Sequence, residues 1–178
     1  MIYDYKKISP YELDMSPVCR AIGREWMLIC AEWEGETNAM TASWGFLGEL
    51  WGAPSAICFI RPQRFTYHLA DRAEYYSLAF FGEERRRELA YFGSHSGRDG
   101  DKAAACGMSY RHIEINGTPV PFPDGAQVVL ICRRVYTDDI HADHFNDPAV
   151  LEANYPERDL HRAFFGEIVT ALERCGNK

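Results

Sequence analysis

The run Ala126–Ile140, AQVVLICRRVYTDDI, constrains the fold more than any other stretch, because it alternates out of an apolar run into a polar end and is the longest strand candidate in the chain. It has company. Glu25–Trp33 (EWMLICAEW), Ser55–Arg61 (SAICFIR) and Tyr76–Phe81 (YSLAFF) also read as strands. EGETN after Trp33 reads as a turn, and AMTASWGFLGELWG begins as a strand and breaks at its glycines. Ser55–Arg61 is nearly continuous in apolar residues, as in strands buried on both faces, so it is expected at the centre of a sheet, with Pro62 ending it. YRHIEINGTPVPF carries the Asn-Gly turn signal of a hairpin.

Helical patterning is sparse. TYHLADRAEYY offers Thr66 as an N-cap and apolar residues at Tyr67, Leu69, Ala70 and Ala73, which predicts a short helix. Glu83–Phe92 (EERRRELAYF) pairs acidic and basic residues three or four apart, predicting an amphipathic helix whose arginines face solvent. Many strands and few helices predict a β-barrel with short helices attached. No repeat, low-complexity tract or linker divides the chain, so residues 1–178 are expected to form one domain. With 47% hydrophobic and 13% aromatic residues a sizeable core is possible.

The formal net charge of −7 excludes a global basic field that would gather nucleic acid or an acidic membrane surface. An anionic ligand must therefore be held by local positive charge. Six cysteines are present without a C-x-x-C pair or zinc-site spacing; Cys30, Cys58 and Cys132 sit in apolar runs, and the set is expected to be reduced and buried. The N-terminal MIYDYKKISPYELD lacks an apolar signal region, and no stretch approaches the ~20 apolar residues of a membrane span, so a cytoplasmic location is expected.

Three stretches concentrate hydroxyls, glycines and guanidiniums: NAMTASWG (Asn38–Gly45), RPQRFT (Arg61–Thr66) and SGRDGDK (Ser96–Lys102). Each lies at the end of a predicted strand or helix. A phosphate needs several N–H and O–H donors plus fixed positive charge, and Thr41, Ser43, Arg64, Thr66, Arg98 and Lys102 supply that chemistry. Trp44, beside them, can pack on a flat ligand. Taken singly, each stretch also reads as ordinary strand surface, strand exit or turn, and only their combination points to one site.

Together with FGSHSGRDGDK and the late YPERDLHRAFFGEI, these motifs resemble the flavin reductase-like proteins of the FMN-binding split-barrel superfamily, in the flavoredoxin-like branch. The likeness runs from about Gly23 to Ile168. It implies a mainly β fold: a six-stranded, antiparallel, Greek-key-like split barrel with peripheral short helices. It also implies a homodimer holding FMN noncovalently near the subunit interface. On this resemblance, Asn38, Met40, Thr41, Ala42, Ser43 and Trp44 line the isoalloxazine and ribityl chain; Arg61, Arg64 and Thr66 form a second stretch, with Arg64 and Thr66 the better phosphate ligands; and Ser96, Gly97, Arg98 and Lys102 form the third. His95 departs from the apolar or small residue usual before Ser-Gly.

The isoalloxazine accepts a hydride or single electrons, and the protein binds, orients and tunes it, so no side chain is named as catalytic. Two functions are implied. One is a flavin reductase in which NADH or NADPH reduces bound FMN, which then passes electrons to a redox protein or small-molecule acceptor. The other is a flavoredoxin-like electron carrier without a nicotinamide site. A barrel binding some other phosphorylated ligand is the third possibility.

His112, His141, His144 and His161 lack partners at recognised metal-ligand spacing and are read as structural or surface residues, with no metal site. The resemblance brings His141, His144, Tyr155 and His161 toward the substrate region. Trp26, Trp33, Trp51, Phe164 and Phe165 are read as core.

Overall fold

The computed structural model describes residues 17–174. The polar N-terminal stretch and Cys175 lie outside them. A short helix α1 (Pro17–Arg20) leads through a π turn into strand β1 (Met27–Trp33), followed by β2 (Glu36–Ala42), β3 (Gly45–Leu50) and β4 (Ala53–Ile60). Helix α2 (Phe65–Arg72) precedes β5 (Tyr75–Phe80), and α3 (Arg86–Ser94) and α4 (Lys102–Ala105) lead to the hairpin β6 (Tyr110–Ile115) and β7 (Thr118–Pro123). The long strands β8 (Val128–Asp139) and β9 (Arg162–Glu173) flank α5 (Pro148–Asn154).

The main sheet has seven antiparallel strands in the order β2-β1-β5-β8-β9-β4-β3, and β6-β7 forms a separate pair. Its two outer strands, β2 and β3, are consecutive in the chain and separated only by Ser43 and Trp44. So short a link reaches roughly 11 Å at most, so the sheet must curl until its edges approach each other. The main sheet thus has seven strands where the resemblance implies six.

Both faces of the central strands are buried, which strand alternation makes possible. Met27 and Ile29 enter a cluster inside the curl with Met40, Cys58, Tyr76 and Phe164, and α2 closes it with Leu69 and Ala70. Leu28 and Cys30 face the other way, into a cluster covered by Leu89 and Phe92 of α3 and by Val120 and Phe122 of β7. The strand buried along its whole length is β5; β4 pairs on both sides but leaves Ile57 and Phe59 partly exposed. Ser55–Arg61 is thus flanked strand rather than buried centre.

Local chemistry explains the boundaries. Asn116 and Gly117, with φ of 51° and 82°, make the turn the Asn-Gly pair predicts. Asp101 accepts from the Ala103 and Ala104 N–H groups and starts α4, and Asp147 does the same for Ala149 in α5. Thr66 is not the N-cap of α2: the helix begins at Phe65 with Arg64 in the cap position, and the Thr66 hydroxyl accepts from Asn38 Nδ2 at 2.7 Å. The predicted helix over Glu83–Phe92 is a 3-10 turn followed by α3, and Arg86 packs over the Trp26 ring rather than facing solvent alone.

Several core expectations are corrected. Trp51 is 68% exposed and Trp33 39%, and Trp26 and Phe165 are only partly buried, while Phe164 is fully buried. Cys30, Cys58 and Cys132 are buried, whereas Cys19 is exposed and Cys106 is half-buried; all of these described thiols are free.

Gly166 in β9 leaves no room for a side chain: a Cβ there would stand 2.4 Å from the Tyr76 hydroxyl and 2.7 Å from Cys132 Cβ. Gly166→Ala is expected to cost about 1–3 kcal/mol through overpacking, read as a lower urea midpoint at unchanged slope.

Candidate functional site

Three chain segments meet on one side of the curled sheet. The end of β2 brings Asn38 to Ala42 into the bend at Ser43 and Trp44; the exit of β4 brings Arg61 to Phe65 into α2; and the end of α3 delivers the loop through Ser96, Gly97 and Arg98 to Lys102. Between them lie two adjoining clefts of about 220 and 240 Å³ that share Met40 and Arg64. Asn38, Met40, Arg64, Thr66, Ser96, Gly97, Arg98 and Lys102 line the first. Met40, Thr41, Ala42, Ser43, Trp44, Arg61 and Arg64 line the second. Every flavin-binding residue that the resemblance implies therefore lies along this one trough, whereas His141 and His144 do not.

The trough is positive in an acidic protein. Among the described residues, Arg61, Arg64, Arg98 and Lys102 line it and no Asp or Glu does. The four cations are not equivalent. Arg64 donates from Nη1 to Gly93 O at 2.8 Å and from Nη2 to Phe92 O at 3.2 Å, and burial lowers its pKa. Lys102 is buried and donates to Ala39 O at 2.6 Å and Phe92 O at 3.3 Å. Arg98 is exposed; among the described residues its guanidinium donates to Gln63 O at 3.0 Å and lies over the Phe65 ring at 5.4 Å. Arg61 is paired with Asp159 and donates to Asn154 O at 3.1 Å. Arg98 is thus the cation least committed to the protein's own groups.

Gly97 is required by proximity. A Cβ there would meet Asn38 Oδ1 at 2.5 Å and Phe65 Cδ1 at 2.6 Å, so the loop backbone passes directly over the buried Asn38–Thr66 hydrogen bond. Ser96 tightens the same turn, accepting from the Arg98 N–H at 3.2 Å.

At the other end the wall is aromatic. Trp44, 40% exposed, stands 4.9 Å from His161 and 6.2 Å from Tyr155 between ring centroids. His161 Nδ1 is 2.9 Å from the Tyr155 hydroxyl. Burial, with the Arg61 charge beside it, pushes the His161 pKa down to about 4, so its ring is neutral near pH 7. Tyr155 packs behind it, under the Arg61 guanidinium.

Of the remaining histidines, His95 lines the outer part of the first cleft and stacks on Tyr91 at 3.8 Å. His141 and His144 sit in a separate depression of about 390 Å³ with Phe145 and Asp147, away from the trough. His112 pairs with Glu32 at 2.9 Å. Among the described residues no three His, Cys, Asp or Glu side chains are arranged to hold a metal ion.

Gln63, Phe65 and Phe59 were not expected along the clefts, nor was Asp159 behind Arg61. Gln63 and Phe65 stand inside RPQRFT, but a search for charge and hydroxyl passes over them. Asp159 acts across a long sequence separation, accepting from Arg61 and from Gln63 Nε2 at 2.6 Å, and has no local signal.

Fold and trough define a mainly antiparallel β protein with a cationic cleft that has no acidic lining among the described residues and ends in an aromatic wall. The flavin reductase like domain matches residues 19–177, and the chain belongs to that family. Among solved structures it is similar to an FMN-binding protein from Thermus thermophilus with bound p-hydroxybenzaldehyde, at 23% identity over 98% of this chain and 83% of that one, TM-score 0.64. It is similar to flavoredoxin from Methanosarcina acetivorans, at 18% identity over 84% and 68%, TM-score 0.63. The styrene monooxygenase flavin reductase from Pseudomonas putida S12 follows the same fold at 16% identity over 84% and 79%, TM-score 0.59. No curated protein matches the sequence.

The depressed His161 pKa carries a sign for stability. Unfolded, the imidazole takes a proton near its ordinary 6.5; folded, only near 4, so between those values the unfolded state binds more protons and stability falls as pH falls. His161→Gln is expected to shrink the loss of urea midpoint between pH 7 and pH 4.5 relative to wild type, and an unchanged loss would contradict a neutral, buried ring.

Proposed function

We propose that the chain is a flavin-binding oxidoreductase that holds FMN noncovalently in the trough and is reduced by NADH or NADPH. The observation that carries this reading is the trough's polarity: cations and hydroxyls at one end, the Trp44–His161 wall at the other, and no carboxylate along either cleft. A phosphate ester on a long polar chain ending in a flat ring fits that order of donors. Family membership supports the flavin, as do neighbours described as FMN-binding and as flavin reductase.

When bound, FMN supplies hydride and single-electron transfer. The protein's residues do the holding. Arg98, with Ser96 and the glycine backbone at 97, takes the phosphate; Arg64 and Lys102 shape and polarise that end through the carbonyls they grip. Thr41 and Ser43 offer hydroxyls along the ribityl chain, and Trp44 covers the ring. His161 presents a neutral imidazole at the ring end, its Nδ1 already engaged by Tyr155.

The partner is a second copy of this chain. Trp51, Tyr136 and Phe165 contact one another, and Phe46 meets Phe59, on the outer surface of β3, β4, β8 and β9, and Trp51, Phe46 and Tyr136 are well exposed. So large an aromatic surface is characteristic of an interface. Its margin reaches Trp44, which would put the ring end of the trough beside the partner. The described free thiols fit the reducing cytoplasm. No described helix is long and apolar enough to cross a membrane.

The first test is the visible spectrum of the purified protein under anaerobic addition of NADH or NADPH. Bound flavin that bleaches within turnover time supports the reductase; flavin that stays oxidised makes the chain an electron carrier, a reading also supported by the likeness to flavoredoxin. Arg98→Ala is expected to weaken FMN binding about tenfold or more, as loss of a charged hydrogen bond does, at unchanged melting temperature. Phe46→Glu is expected to shift the protein to monomer in sedimentation velocity, and an unchanged sedimentation coefficient would remove this face from the interface.

A further inference from the structure

Arg64 and Lys102 converge on the last carbonyls of α3, and Phe92 O accepts from both. Lys102 also reaches across to Ala39 O of β2 at 2.6 Å, so one ammonium joins the strand that floors the first cleft to the helix that ends at its rim. The Lys102 side chain is 4% exposed. Neither cation has a carboxylate ion pair among the described residues, and no carboxylate lines the cleft they border. Carbonyl oxygens compensate such a charge only in part, and a buried cation left in that state attracts an anion or sheds its proton.

Resting on the proposed phosphate site, we infer that Lys102 is a positioning residue that braces β2 against the end of α3, and that it takes up a proton as a phosphate-bearing ligand binds. The site therefore grips its ligand weakly once the ammonium is lost.

Among the described residues, the groups facing Lys102 leave it no other counter-charge. Burial, then Arg64 from the start of α2, lowers its pKa from 10.5 to about 8. Cys30 of β1 and Cys106 beyond α4 are thiols whose own pKa values are raised, chiefly by burial, so both are neutral at that pH. Burial likewise raises Tyr110 of β6. The Asp101 carboxylate is committed to the first N–H groups of α4, and Glu88 to Arg85. A phosphate dianion beside this pair opposes both lowering influences and pushes the Lys102 pKa back up. The bound protein then keeps a proton that the free protein has lost. With the phosphate kept as its dianion, above its second ionisation at about pH 6, affinity changes little up to about pH 7 and falls above pH 8, by up to about tenfold per pH unit.

The chain makes this measurable because it has four lysines, and Lys6, Lys7 and Lys178 lie in the terminal stretches. With Lys6→Arg, Lys7→Arg and Lys178→Arg, each of which keeps its positive charge, a ¹³Cε-lysine label reports on Lys102 alone. Its carbon signal is expected to titrate near pH 8 in the free protein and to move up by about one unit or more with saturating FMN. The dissociation constant from FMN fluorescence quenching should rise above pH 8 in wild type and stay flat in Lys102→Arg, which cannot lose its charge. A free Lys102 titrating above about 10, a midpoint unmoved by FMN, or the same rise in Lys102→Arg would overturn the inference. Should FMN fail to bind at any pH, the flavin reading falls. Inorganic phosphate then decides the coupling: an upward shift of the Lys102 midpoint upholds it, and no shift overturns it.

Discussion

The link of Ser43 and Trp44 between β2 and β3 is the constraint on which the molecule turns. It joins the two outermost strands of one sheet, so the sheet cannot lie flat, and the concave side acquires a core of its own. Gly45 follows the bend, where a Cβ would stand 2.9 Å from Ile57 O and 3.1 Å from the Met27 methyl. Trp26, entering β1, has φ of 72°, a left-handed conformation that an aromatic residue holds only when its surroundings impose it. The bend also places Ser43 and Trp44 where the strand end, the β4 exit and the α3 loop converge. Fold closure and site formation are one event.

Electrostatics then divides labour among residues that look alike in sequence. Arg64 and Lys102 sit where a helix presents its negative end, and although they line the cleft they commit their N–H groups to the terminal carbonyls of α3. Arg98, on the loop they anchor, remains available. Arg61 is held by Asp159 and the Asn154 carbonyl, which ties the chain after α5 to the rim of the second cleft. The result is local positive potential on a chain of net charge −7, sustained because the acidic residues are kept out of the trough.

Much of this was legible beforehand. The Asn116-Gly117 hairpin, β8, the helix that became α3 and the apolar runs around Cys30, Cys58 and Cys132 carry strong local signals, since turn chemistry and apolar alternation act over a few residues. Thr66 carries the local signal of a cap, but its hydroxyl answers to Asn38, far away in the chain, and not to its own helix. Trp33 and Trp51 were misread as core because size and hydrophobicity do not say which face of a strand is covered. Asp159, Gln63 and Phe65 gave no sign because their roles exist only against Arg61, Arg98 and Gly97.

The sequence by itself determined the element types and the residues that could hold an anion, because backbone propensity, turn geometry and side-chain chemistry are local properties. Tertiary structure decided which of those residues are free to do so. Burial and carbonyl contacts between segments far apart in sequence turned Lys102 and Arg64 into braces, left Arg98 uncommitted, and made His161 neutral, and no spacing along the chain encodes that difference.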